Sequence, residues 1–290
     1  DFYNAALDGV EIGLGVGSCG EAAYTAERVI VQDIATHPNW ALYSELASRA
    51  GLGACWSQPI LSPSRQVLGT FAIYHRDKHA PTEADIYVIE QSARLASIAI
   101  ERKQMEDEVR KLAFYDALTE LPNRRLLADR LKQALAASKR KGLYGALLFL
   151  DLDNFKPLND QHGHDYGDLL LKEVARRIRS CVREVDTVAR FGGDEFVVVL
   201  SELVADKTAS ATQASMVAEK IRAALAAPYL LSIRHEDSPE TSVEHHCTSS
   251  IGAVLFGEQE SSASDILKWA DLAMYQAKAA GRNTVKFYDA

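Results

Sequence analysis

Two acidic pairs carry the chemistry this sequence offers: Asp151 and Asp153 on either side of Leu152, and Asp194 beside Glu195. The first closes a continuously apolar run, Ala146 to Leu150, so its carboxylates stand where a buried strand reaches solvent. The second follows Gly192-Gly193 at what reads as a hairpin tip, with the glycines supplying positive φ. Carboxylates about 4 Å apart repel by about 4 kcal/mol at an effective dielectric near 20, so two acidic clusters converging on one point call for a cation. Hard oxygen ligands with few histidines favour Mg²⁺, or Mn²⁺ in its place, which leaves coordination positions open for phosphate oxygens. Either pair taken alone reads equally as solvated turn residues; their joint position at two strand ends is what points to a metal.

Between the pairs runs Asn154-Phe155-Lys156-Pro157-Leu158-Asn159-Asp160-Gln161-His162-Gly163-His164-Asp165-Tyr166-Gly167-Asp168. Read as a loop entering a helix, it offers backbone amides and one lysine to an anion, at a helix end that favours negative charge. Asn159 and Asp168 carry an amide and a carboxylate able to read a guanine edge, and are equally suited to capping a helix or a turn.

The elements that must position these groups follow from periodicity. Helix Arg124 to Lys139, strand Tyr144 to Leu152, a loop through Gly163 and helix Asp165 to Arg183 come first; strands Thr187 to Arg190 and Glu195 to Leu200 follow. Helix Ala211 to Ala227, strand Thr248 to Phe256, helix Ser264 to Ala280 and strand Thr284 to Phe287 complete the series. This β–α–β–β–α–β order predicts an antiparallel or mixed central sheet with helices on one side. Ahead of it, residues 1–81 read as a small α+β domain with strands at Val29 to Val31, Trp56 to Leu61 and Val67 to Tyr74. Residues 82–113 read as one connecting helix: Ile86, Ile89, Ala93, Ala96 and Ile100 recur at helical steps, and after a slip the pattern resumes as Ile98, Met105, Val109 and Leu112. Such a helix is coiled-coil-like, with the slip as a stutter. The third part is then 114–290.

Arg190-Phe191-Gly192-Gly193-Asp194-Glu195-Phe196 resembles the GGDEF signature of diguanylate cyclases. Asp116 to Arg125 resembles that family's entry motif, Phe155 to Asp168 its nucleotide-binding run and Ala270 to Asn283 its closing helix, so the resemblance covers about residues 112–290. Glu120 departs from it, standing where glycine is usual, outside the site. The resemblance implies a polymerase-palm or nucleotide-cyclase-like α+β fold, a homodimer, and the joining of two GTP molecules into cyclic di-GMP with release of pyrophosphate. It further implies that Asp151, the Leu152 carbonyl, Asp194 and Glu195 bind metal, with Asp194 and Glu195 catalytic. By the same resemblance Asn159 and Asp168 hold guanine and His164 belongs to the same run, while Asn154, Phe155, Lys156, Lys278 and Arg282 hold the triphosphate. Arg183 and Asp186, with five residues between Asp186 and Gly192, match the family's RxxD site for inhibition by product.

Gly15 to Gly20, Asp33-Ile34, Pro38 to Trp40, Cys55 to Ile60 and Leu68 to Ala72 resemble the latter part of a GAF sensory domain, truncated at its N-terminus. Bulk properties narrow the classes. A net charge of −8 argues against a surface built to neutralise a nucleic-acid backbone. No stretch reaches the roughly 18 apolar residues of a membrane span, so a cytoplasmic protein is expected. Cys19, Cys55, Cys181 and Cys247 lie far apart and read as reduced core thiols, and His245-His246 reads as a strand edge. The rival to an enzyme is a GTP- or cyclic-di-GMP-binding module that regulates a phosphodiesterase domain outside this chain.

Overall fold

β-branched and aromatic residues in the first 80 positions form the strands their propensity favours. After α1 (Gly17–Thr25) come β1 (Val29–Val31), a 3₁₀ turn over Pro38–Tyr43 and α2 (Ser44–Ala50), then β2 (Ala54–Leu61) and β3 (Val67–His75). The strands make an antiparallel sheet in the order β1-β2-β3. Val31, Ile34, Trp40, Ala47 and Cys55 fill its core, and the Trp40 indole donates to Ser18 Oγ at 3.0 Å. The computed structural model describes residues 6–233, 241–257 and 262–289. It separates into two units, Asp1–Glu108 and Val109–Ala290.

A single helix, α3 (Glu83–Phe114), spans 32 residues. One of its faces buries Ile89, Ala93 and Ser97, with Ser97 Oγ donating to the Leu61 carbonyl at 2.7 Å. The opposite face leaves Val88, Leu95, Ile98, Met105, Val109 and Leu112 exposed, at successive steps of seven, three, seven, four and three residues. The apparent slip in the sequence is therefore no stutter. It is two stripes on different faces, one packed within the first unit and one in unbroken heptad register.

The second unit continues with α4 (Arg124–Lys141), β4 (Gly145–Asp153), α5 (Phe155–His162), α6 (His164–Cys181), β5 (Thr187–Gly192), β6 (Glu195–Leu200) and α7 (Lys207–Ala226). A small hairpin of β7 (Tyr229–Ile233) and β8 (Thr241–His245) precedes β9 (Thr248–Phe256), α8 (Ala263–Ala279) and β10 (Val285–Phe287). The sheet runs β10-β9-β4-β6-β5; only the β10–β9 pair is parallel. His245 ends β8, while part of the acidic insertion beside it, residues 234–240, lies outside the described residues.

Two expectations need correction. Helices cover both faces of the sheet: Leu148 and Leu150 meet Leu170, Val174, Ile178, Ala218 and Ile221 in one core, while Leu147 and Phe149 meet Leu127, Leu131, Ile266 and Ala270 in the other. A strand buried on both faces has no polar side to show, which is why residues 146–150 are apolar without alternation. The supposed loop after Asp153 is also largely helical, forming α5.

Close packing of α8 on β9 depends on Gly252. A Cβ there would lie 2.0 Å from the Ala270 carbonyl oxygen and 2.2 Å from the Met274 nitrogen, backbone atoms that no rotamer change can move. Gly252→Ala is expected to cost about 3 kcal/mol, lowering Tm by roughly 6–12 °C in thermal unfolding. An unchanged Tm would show that α8 shifts freely.

Candidate functional site

Strand register brings the two acidic pairs together. Asp151 on β4 sits opposite Glu195 on β6 and Ser250 on β9, and the Leu152 amide donates to the Asp194 carbonyl at 3.3 Å. From α8, Lys278 Nζ reaches Asp151 Oδ2 at 2.7 Å. Burial, then the charges of Asp194 and Asp153, push the Asp151 carboxyl above the ordinary carboxylate range against the pull of Lys278. Burial also raises Glu195, helped by the charges of Asp151, Asp271 and Asp194. One lysine thus faces an excess of carboxylates, and the surplus negative charge is what a divalent cation relieves.

Among the described residues no three His, Cys, Asp or Glu side chains form a closed metal cage. Mg²⁺ is held through one or two carboxylates and completes its octahedron with water and substrate phosphates. Asp151, Asp194, Glu195 and the Leu152 carbonyl carry hard oxygen donors of the kind such an ion takes.

Asp153 adds its charge to this cluster but is itself tied up by hydrogen bonds. It is buried, accepting from Thr248 Oγ1 and Ser250 Oγ at 2.7 Å each and from the Asn283 amide at 3.1 Å. It anchors β9 and the segment after α8, a structural duty that sequence spacing did not separate from that of Asp151.

The hairpin tip has its own anchor. Of its two glycines only Gly193 has positive φ, +51°, so the expectation that both need it is corrected. The Arg190 guanidinium donates twice to the Gly193 carbonyl, at 2.9 and 2.8 Å, and to both Asp116 oxygens at 3.1 Å. Burial opposes the charge on Asp116. Even so, the Thr119 hydroxyl and amide, with Arg190, hold its carboxyl below the usual range. Opposite charges in two separate motifs were visible in the sequence, but nothing there pairs residues 74 positions apart.

The nucleotide run is organised around α5 and α6. Asn154 enters α5 in left-handed conformation, φ +60°, directly after β4; Phe155 packs against the core, and Lys156 is exposed in the first turn. Asn159 lies over Gly167 so closely that a Cβ there would be 1.9 Å from Asn159 Oδ1. This oxygen is buried and has no hydrogen-bond partner, an acceptor awaiting a donor. Asp168 follows Gly167 on the exposed surface of α6, and His164 opens that helix, also exposed. Arg282 lies just beyond α8 at φ +65°, exposed, its amide donating to the Ala277 carbonyl at 3.2 Å.

Arg183 and Asp186 lie elsewhere, in the turn between α6 and β5. Asp186 accepts from the Arg183 amide at 2.9 Å and from the Ser201 amide at 3.1 Å. Both residues line a cavity of about 580 Å³ together with Arg130, Arg179 and Glu120. Glu120 has φ +56°, a conformation glycine adopts without strain. The sequence reading put Glu120 outside the site; it lies apart from the acidic cluster but in the wall of this second cavity.

Arg190→Lys retains the charge but loses the fork that spans Gly193 and Asp116. It is expected to cost about 2 kcal/mol in denaturant unfolding, with Asp116→Asn adding little on top because both act on one contact. Additive losses would disprove the shared anchor.

A family model for the diguanylate cyclase GGDEF domain matches residues 113–284, and one for the GAF domain matches residues 1–101. The chain is 41% identical over 197 residues to the bifunctional diguanylate cyclase/cyclic di-GMP phosphodiesterase MucR of Pseudomonas aeruginosa, covering 68% of this chain and 27% of MucR. It is 33% identical over 242 residues to the cyclic di-GMP phosphodiesterase NbdA of the same organism, covering 83% of this chain and 28% of NbdA. The chain thus spans little more than a quarter of the length of these relatives. Among solved structures, the coiled coil and GGDEF domain of DgcB from Caulobacter crescentus, in complex with c-di-GMP, matches with a TM-score of 0.56 at 28% identity, over 68% of this chain and 98% of that one. With one family model spanning more than half of the chain and containing both acidic pairs, the chain belongs to the GGDEF-domain diguanylate cyclase family, and a GAF domain precedes that domain.

Proposed function

We propose that this chain condenses two GTP molecules into cyclic di-GMP and two pyrophosphates. The observation that carries the reading is the under-neutralised acidic cluster at the end of β4, with Lys278 reaching into it from α8. Asp151, the Leu152 carbonyl, Asp194 and Glu195 would hold Mg²⁺ or Mn²⁺. Bound there, the ion supplies charge neutralisation for the phosphates and the attacking oxygen. Lys278, Arg282, Lys156 and the amides at Asn154 and Phe155 bind the triphosphate, while Asn159 accepts from the guanine edge and Asp168 and His164 complete that wall. In each GTP the 3′-hydroxyl attacks the α-phosphorus of the other, the bond to pyrophosphate breaks, and Glu195, its proton affinity raised by burial and then by its acidic neighbours, would take the hydroxyl proton.

One domain holds one GTP, so the reaction needs two copies. The exposed heptad stripe on α3 supports this, since it is the seam a parallel two-stranded coiled coil requires. The working division is then a GAF-like sensory part at 1–81, a coiled-coil helix at 82–113 and the cyclase at 114–290, acting in the cytoplasm under control of the first part. Arg183 and Asp186, with Arg179 and Arg130 beside them, would bind the product's phosphates and inhibit turnover.

A second reading has one specific support: NbdA is named a phosphodiesterase, and a domain like this one could serve as its GTP- or cyclic-di-GMP-binding regulator. Asp194→Ala separates the two. With GTP and Mg²⁺, wild type is expected to release pyrophosphate and form cyclic di-GMP, and the variant to lose at least 100-fold in rate, in line with loss of transition-state charge stabilisation. A wild type that binds GTP but makes no product, even as a dimer, overturns the enzyme reading. Arg183→Ala should leave the initial rate intact and remove inhibition by added cyclic di-GMP; unaltered inhibition would exclude that cavity as the feedback site.

A further inference from the structure

The second cavity of the GGDEF unit, about 580 Å³, carries its charges in balance: Arg130, Arg179 and Arg183 are opposed by Glu120, Glu184 and Asp186. Its volume lies in the range of small-molecule sites. Among the described residues none of the three guanidiniums takes part in an ion pair or hydrogen bond, and neither do the Glu120 and Glu184 carboxylates. Asp186 alone is committed, to the Arg183 and Ser201 amides. All three arginines are exposed, so an anion has access to them.

Glu120 differs from the other two acids in where it comes from. Glu184 and Asp186 belong to the turn that carries Arg183, closed by the Asp186 amide donating to the Arg183 carbonyl at 3.1 Å. Glu120 enters from the loop ahead of α4, and hydrogen bonds fix that loop. The Glu120 amide donates to the Asp116 carbonyl at 2.9 Å, the Asp116 amide to the Leu121 carbonyl at 2.8 Å, and the Arg190 amide to the Pro122 carbonyl at 3.0 Å. Within the loop Glu120 holds φ +56°, a left-handed conformation that costs a residue with a side chain more than it costs glycine. A negative charge is thus kept at the cavity wall by a backbone that would be more at ease without the side chain. Among the described residues no group pairs with it, so its effect falls on whatever anion the arginines attract.

We propose that Glu120 sets the threshold of product feedback: its carboxylate opposes entry of the cyclic dinucleotide dianion and weakens a binding that the three arginines would otherwise make tighter. The inference rests on the feedback reading of this cavity. With Glu120 ionised the wall sums to zero, three positive charges against three negative; with Glu120 neutral, three against two leave it at +1. A unit charge facing an anion across a solvent-exposed cavity is worth a factor of about three to five in affinity. Inhibition therefore begins at a correspondingly higher product concentration than the arginines alone would set.

The test is calorimetric titration of cyclic di-GMP into the full chain, comparing wild type with Glu120→Gln, Glu120→Lys, Glu120→Gly and Arg183→Ala. Glu120→Gln removes the charge and keeps the shape; it is expected to lower Kd about three- to five-fold, and Glu120→Lys to lower it further. The gain should fade as salt approaches about 1 M, where the Debye length is about 3 Å, a dependence that a purely structural role would not show. Glu120→Gly also relaxes the backbone, and should match Glu120→Gln. Equal binding by wild type and Glu120→Gln, with Arg183→Ala abolishing binding, overturns this proposal and leaves the feedback site standing. Tightening by Glu120→Gly alone assigns the effect to the backbone and likewise overturns it. Arg183→Ala binding as tightly as wild type, or no binding by any of these chains, removes the feedback reading and this proposal with it.

Discussion

Electrostatic repulsion at the end of β4 organises the second unit. A central strand buried on both faces must deliver its last carboxylate, Asp151, to a partly desolvated edge, and β6 delivers Glu195 directly opposite. Left to themselves these groups would favour protonation or separation. The fold prevents separation, because the ladder fixes their register. It limits the repulsion through a single lysine from α8, a helix seated so close to β9 that only glycine fits at Gly252. The remaining imbalance makes the edge an attractive place for cations and for phosphates that arrive with them.

Rigidity around that edge comes from residues that do no chemistry. Arg190 and Asp116 secure the hairpin tip from below, and Asp153 ties β9 to the segment carrying Arg282. A repelling cluster is useful only while its members cannot drift apart, so these anchors are the condition for the site.

Sequence reading located the acidic pairs, the central strand, the four long helices that cover it and the runs that match a known signature, because each has a short-range pattern. It failed where the decisive partner is distant in the chain. The duty of Asp153 differs from that of Asp151 only through Thr248, Ser250 and Asn283. The second helical face was missed although the uninterrupted apolar run at 146–150 announced it. The run that forms α5 was read as a loop; Pro157 is no obstacle to the helix, because it falls in the first turn, where its missing amide costs nothing. The significance of Glu120 depended on knowing its φ and the cavity it faces.

The two stripes of α3 impose a rule on its length. Each residue advances the helix by about 100°, so seven residues return close to the starting direction while one or two do not. One stripe is spent against the first unit and the other is presented outward in heptads. Natural variation in this connector should therefore come in whole sevens: a helix of other length would keep both domains intact but turn the outward seam away from its line.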